Sequence, residues 1–166
     1  LYRYRLGDVV EVVGRRGTCP LIRFVGRADL VSDFYGEKLA ERHVAGSLAA
    51  ALAAEGLEPR FAVVSCERAG ARRAYTLFVE DERAADEALE RVAASLEALL
   101  LENFHYALCR RLGQLEPVRA RRAVPGAAGA VLVTCAERGQ RLGDVKPSVL
   151  YVRGDLGAAI AEGPHA

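Results

Sequence analysis

The sequence predicts an α+β domain: a mostly antiparallel sheet with about three helices packed on it, preceded by an N-terminal β-hairpin. Three observations carry this. Short β-branched and aromatic runs come in pairs separated by glycine-containing turns. Apolar residues recur at helical spacing in longer, alanine-rich stretches. The element order is hairpin, helix, hairpin, helix, strand, helix, strand, which sets antiparallel pairs beside helices.

Val9 to Val13 is a β-branched run closed by Gly14-Arg15-Arg16-Gly17, and Leu21 to Val25 is a second run closed by Gly26. Together they predict the first hairpin. A helix is expected over Glu37–Glu55, where Val44, Leu48 and Leu52 recur every fourth residue and Gly56 supplies a stop. Pro59 bars continuation. Arg60 to Cys66 and Arg73 to Val79 predict a second hairpin around Ala69-Gly70-Ala71. Ala84 to Glu102 carries an apolar stripe of Leu89, Val92, Leu96, Leu99 and Leu100, with Asp81 as its expected cap. A strand is expected over Val118–Val124, bounded by Pro117 and Pro125. A helix over Ala127–Arg138 follows, ending at Gly139, and then a short strand over Val149–Val152. Residues 1–154 read as one domain and 155–166 as a loose tail.

With 166 residues and 51% of them hydrophobic, the chain can bury roughly 70% of its unfolded surface. A net charge of +1 argues against general affinity for nucleic acid or acidic membranes. There is no apolar run long enough to span a bilayer. Cys19, Cys66, Cys109 and Cys135 are scattered, and with only three histidines no zinc constellation forms. They read as reduced, mostly buried thiols of a cytoplasmic protein. The chain has no methionine and opens on Leu1 inside a strand-like stretch, so we expect a fragment whose partner region precedes it.

Only two lysines occur against 21 arginines. Lysine is a compact ammonium on a flexible stem, and arginine a rigid planar fork. Lys38 and Lys146 therefore mark positions where a point charge is wanted, or they are strays of an arginine bias. Four polar features lie outside the regular elements. In Arg5-Leu6-Gly7-Asp8, Asp8 offers a carboxylate to vicinal hydroxyls, although a turn aspartate is the plainer reading of it alone. Phe24-Val25-Gly26-Arg27 is followed by Asp29. Arg27 suits a phosphate or ribose oxygen and Asp29 a hinge, or the two form a surface ion pair. In Gly36-Glu37-Lys38, a glycine before a helix start leaves amides free for an anion, and a cation in the first turn implies one nearby. Gly139-Gln140-Arg141-Leu142-Gly143-Asp144-Val145-Lys146-Pro147 holds a lysine on a glycine-bounded loop, as for delivery to another site, or it is an exposed turn between helix and strand. No histidine-based triad is recognisable around His43 or His105. Arg119, Arg121 and Arg122 read as a solvated strand face.

Taken in order, Tyr4-Arg-Leu-Gly-Asp8, Phe24-Val-Gly-Arg27, Gly36-Glu-Lys-Leu39, the stretch from His105-Tyr106 to Arg111-Leu-Gly-Gln-Leu115, and Gly139 to Pro147 resemble the C-terminal domain of the auxin-responsive promoter family of acyl-acid amido synthetases. That family belongs to the adenylate-forming, luciferase-like superfamily. The resemblance implies a two-domain, ATP-dependent ligase. Its large N-terminal domain holds most of the site for ATP, Mg²⁺ and acid. Its small C-terminal domain swings between adenylation of a small carboxylic acid and transfer of the acyl group to an amine. By resemblance Asp8 matches the ribose-binding aspartate, Arg27 the arginine near nucleotide and hinge, Lys38 a lysine close to phosphate, and Lys146 the late lysine that inserts during adenylation. The plant enzymes read Ser…Asp-Lys-Thr where this chain has Ser32…Glu37-Lys38-Leu39, and the arginine- and alanine-rich composition points to a bacterial member. Two other classes remain open at this level: a ferredoxin-like small-molecule-binding or regulatory module without catalysis, and a fragment that only mediates protein contacts.

Overall fold

A computed structural model describes residues 8–27, 30–141, 143, 145, 147–152 and 156–163. Strands β1 (Asp8–Arg16) and β2 (Cys19–Arg27) form the N-terminal hairpin, and two short strands, β3 (Val31–Ser32) and β4 (Leu39–Ala40), pair next. Helix α1 (Glu41–Ala54) leads to β5 (Phe61–Ala69) and β6 (Arg72–Glu80), the second hairpin. Helices α2 (Asp86–Leu100) and α3 (Phe104–Arg111) precede β7 (Leu115–Arg122). Helix α4 (Ala127–Glu137), β8 (Leu150–Tyr151) and α5 (Leu156–Glu162) complete the chain.

The α+β class and the N-terminal hairpin are as expected. The central sheet runs β7-β6-β5-β8, with an antiparallel β5–β6 centre and parallel outer ladders, so it is mixed. Its helices cover both faces. One core joins Val64, Leu77 and Tyr75 to α1, α2 and α3 through Leu48, Leu96 and Tyr106. The other joins Val63 and Phe78 to α4 and α5 through Val131 and Ile160. The physical reason is visible in β6, where every residue from Ala74 to Glu80 is buried. A continuous apolar run belongs to a strand covered on both sides, and each such side chain contributes roughly 1.5–3 kcal/mol. A ferredoxin-like module keeps its helices on one face of an antiparallel sheet, so this topology does not fit that alternative.

Several boundaries differ from expectation. The first helix begins at Glu41, because Leu39 and Ala40 pair as a strand with Ser32 and Val31. Lys38 therefore lies before the helix, not in its first turn. Asp81 does not cap α2: its Oδ1 accepts from the amides of Arg83 and Ala84, and the cap position is Ala85. Helix α3 was not expected; Asn103 caps it by accepting from the His105 and Tyr106 amides. β7 runs through Pro117, which an edge strand tolerates. A register shift there lets Leu115 and Val118 both face the core, and the freed Val118 amide donates to Glu97. That same carboxylate accepts from Tyr106 and Arg110, binding α2, α3 and β7 together. The tail expected to be loose instead forms α5, since Leu156, Ala159 and Ile160 are buried. Cys66, Cys109 and Cys135 are buried free thiols, and Cys19 is an exposed one. Among the described residues no helix is long and apolar enough to cross a membrane, and no cluster of His, Cys, Asp or Glu could hold a metal.

Candidate functional site

The loop from Asp33 to Lys38 is built around one buried carboxylate. Glu37 is fully buried, and it accepts from the amides of Phe34 at 3.0 Å and Tyr35 at 2.8 Å. The Tyr75 hydroxyl on β6 donates to it at 2.6 Å and lies 2.5 Å from Ser32 Oγ, which also donates to Glu37. Burial, the largest influence, raises the Glu37 pKa. The hydrogen bonds from Phe34, Tyr75 and Tyr35 outweigh it and leave the group below its ordinary value. Burial and then the bond to Glu37 push the Tyr75 phenol far up, so it remains a donor. Cys109 of α3 donates to the Tyr35 carbonyl, and the Arg73 guanidinium sits 4.2 Å over the Phe34 ring.

This scaffold fixes Lys38. It is exposed, and at φ 46° it is the only non-glycine residue with positive φ among the described residues. Such a conformation costs on the order of 1–3 kcal/mol and persists where the surroundings impose it. No anionic partner for Lys38 is found among the described residues.

A second buried carboxylate lies three residues on. Glu41, 1% exposed in the first turn of α1, accepts from Ser148 Oγ at 2.5 Å and from the Val149 amide at 3.1 Å. Its own amide donates to the Leu30 carbonyl at 2.9 Å. Beside it opens a cavity of about 450 Å³ lined by Phe24 of β2, Glu41, Leu132 of α4, Val145, Pro147 and Tyr151 among others. Strand β2, the start of α1 and the segment on either side of Lys146 thus meet around one largely apolar cleft. Its size falls in the range of ligand pockets.

The sequence-predicted residues fall as follows. Asp8 and Arg27 are backbone partners at the open end of the first hairpin. Lys38 is on the rigid loop described above. Asp29 and Lys146 lie outside the described residues. Sequence reasoning missed Glu37, Glu41, Tyr75 and Ser148. From sequence both glutamates fall in the helix expected over Glu37–Glu55, with no role assigned to either.

A family model described as the GH3 family C-terminal domain matches residues 45–153, and one described as the GH3 family central domain matches residues 1–27. The chain belongs to the GH3 family. This bears out the resemblance drawn from the ordered motifs. Among solved structures, this GH3 chain is similar over its whole length to one described as GH3.15 acyl acid amido synthetase, with a TM-score of 0.69 and 18% identity. It is similar, with a TM-score of 0.60 and 18% identity, to AtGH3.15 acyl acid amido synthetase in complex with 2,4-DB. These likenesses establish the fold. The chain spans about a third of each protein, 32% of the first and 31% of the second. No curated protein sequence matches it.

Proposed function

We propose that this GH3 chain carries the mobile C-terminal lid of an ATP-dependent acyl-acid amido synthetase of the cytoplasm. Its partner is then the N-terminal domain of the same enzyme. In the first half-reaction a carboxylate oxygen of a small organic acid attacks the α-phosphorus of ATP and pyrophosphate leaves. In the second, an amine such as that of an amino acid attacks the acyl carbon, and AMP leaves as the amide forms.

In this reading Asp8 accepts hydrogen bonds from the ribose hydroxyls, and Arg27, opposite it across the hairpin, reaches the nucleotide. Asp29 absorbs the change of chain direction between the two lid positions. Lys38, exposed and without a described partner, meets the phosphates. Lys146 enters during adenylation, when two anions must approach and a desolvated ammonium offsets their repulsion. Mg²⁺ accompanies the ATP phosphates, held mainly by the nucleotide and the N-terminal domain.

The observation that carries the reading is the shared cleft. Phe24 on the strand ending at Arg27, Glu41 three residues after Lys38, and Val145 and Pro147 flanking Lys146 all line it. The test is acid-dependent exchange of pyrophosphate into ATP by the full-length enzyme. Lys146→Ala should reduce exchange by on the order of 10²–10³. Exchange at the wild-type rate in that variant would overturn the proposal.

A further inference from the structure

We infer that Tyr75 is a positioning residue for Lys38: from the centre of the sheet its hydroxyl holds Glu37, the residue that sets the backbone on which Lys38 is carried. The inference rests on the reading above, in which Lys38 meets the phosphates, and deepens it.

At φ 46° Lys38 holds a left-handed conformation that a glycine would adopt without strain. A lysine there is held against its own preference, and such strain persists where the flanking structure over-determines it. Both neighbours do so. Glu37 and Leu39 are fully buried, while Lys38 between them is exposed. Leu39 is fixed by its pairing with Ser32. Glu37 is fixed by donors on both oxygens: Oε1 accepts from the Phe34 amide and from the Ser32 and Tyr75 hydroxyls, and Oε2 from the Tyr35 amide. Phe34, Tyr35 and Ser32 belong to the loop itself or to the strand that leads into it. Of these donors, Tyr75 alone comes from the central sheet.

Tyr75 is itself held in place. Its buried ring stands edge-on to that of Tyr106 on α3, with centroids 5.9 Å apart, and the Tyr106 hydroxyl donates to Glu97 of α2 at 2.7 Å. Two residues earlier on β6, the Arg73 guanidinium supports the Phe34 ring, and Cys109 of α3 donates to the Tyr35 carbonyl. The loop thus rests on β6 and α3 together. Tyr106, in the fourth of the ordered motifs, gains a task that the functional reading alone does not give it. From the Tyr75 hydroxyl to Lys38 the path is one buried carboxylate and one peptide link. Position is transmitted along a short stiff path of this kind, and misplacing a reactive group by about 1 Å can cost on the order of 10²-fold in rate. A glutamine cannot take the place of Glu37. Whichever way its amide is turned, the NH₂ group meets a backbone N–H, that of Phe34 or that of Tyr35.

The experiment is a double-mutant cycle on acid-dependent pyrophosphate exchange by the full-length enzyme. Tyr75→Phe keeps the ring and removes only the donor, and should lower the kcat of exchange about 10-fold. Lys38→Ala should lower it by on the order of 10²–10³. The double variant should fall no further than Lys38→Ala alone, because Tyr75 acts through the ammonium. If the two losses instead multiply in the double variant, the role of Tyr75 is merely structural and the inference is overturned. Glu37→Gln probes the same path and serves where Tyr75→Phe does not fold. It should lower exchange at least as far as Tyr75→Phe, and again add nothing to Lys38→Ala. If Lys38→Ala lowers exchange while Tyr75→Phe and Glu37→Gln leave it at the wild-type rate, the inference fails alone. If Lys38→Ala itself leaves exchange intact, the functional reading beneath it fails.

Discussion

The molecule contains the same local device twice, with opposite outcomes. β1–β2 and β5–β6 are each two nine-residue strands joined by a two-residue turn that opens on glycine, Gly17 at φ 63° and Gly70 at φ 68°. Positive φ at the first turn position matches the twist of the flanking strands. Beyond the turn the likeness stops. The second hairpin is the centre of the four-stranded sheet, buried on both faces. In the first, the Val12–Ile22 cross-strand pair is 57% and 60% exposed, while Phe24, toward the base, faces the cleft. Its other face carries the Glu11–Arg23 ion pair at 2.6 Å, with both side chains more than half exposed, which is worth at most about 1 kcal/mol. Hairpin formation is a local matter. What the hairpin contributes depends on what covers it, and on the proposed reading the remainder of the enzyme covers the first one.

The contrast can be broken most forcefully at Phe78, buried between β6 and helices α4 and α5. Phe78→Ala should cost about 3–5 kcal/mol in urea unfolding. A loss below about 1 kcal/mol would mean that the second hairpin is not the centre of the core. Tyr75→Phe removes a donor from the buried Glu37 and should cost about 1–3 kcal/mol.

The same carboxylate gives a pH signature. Because its folded pKa lies below the free value of 4.5, its contribution is complete above that value and is lost as the pH falls through the lower folded value. The wild-type protein should lose stability over that acidic window, and Glu37→Gln should flatten the dependence. An unchanged slope in the variant would refute the assignment.

A smaller effect sharpens the comparison. Gly17→Ala and Gly70→Ala introduce the same left-handed strain, about 1 kcal/mol each. Only Gly70→Ala should move the global unfolding midpoint, while Gly17→Ala should show as faster amide exchange confined to β1 and β2. Smallest of all, Ile22→Ser should change the stability of this chain by less than about 0.5 kcal/mol.

Much of this was readable in advance. The glycine-closed strand pairs, the leucine stripe of α2 and the stop at Gly56 were legible because each depends on neighbours in sequence. The unbroken run Ala74-Tyr-Thr-Leu-Phe-Val79 also carried the sign of a doubly covered strand, since strands with one solvated face alternate. The start of α1 was misplaced because Leu39 prefers a two-residue strand that exists only through its pairing with Ser32. Helix α5 was missed because its small-residue composition gives little periodic signal, while burial of Leu156 and Ile160 against α4 and the sheet stabilises it. At the site, the ordered motifs marked Lys38, Asp8 and Arg27 as candidates. They gave no hint that Glu37 and Glu41 are buried.

The sequence by itself determined the hairpins, the main helices, the family and the lysine-bearing segments, because turn chemistry, periodicity and motif order are written in residues close together along the chain. Tertiary structure alone decided which hairpin became core, why Lys38 holds a left-handed backbone, and that Glu41 accepts from residues more than a hundred positions away. Those outcomes depend on burial, and burial depends on which distant surfaces meet. A glutamate in water and a glutamate clamped between a helix and a strand have the same letter and opposite roles.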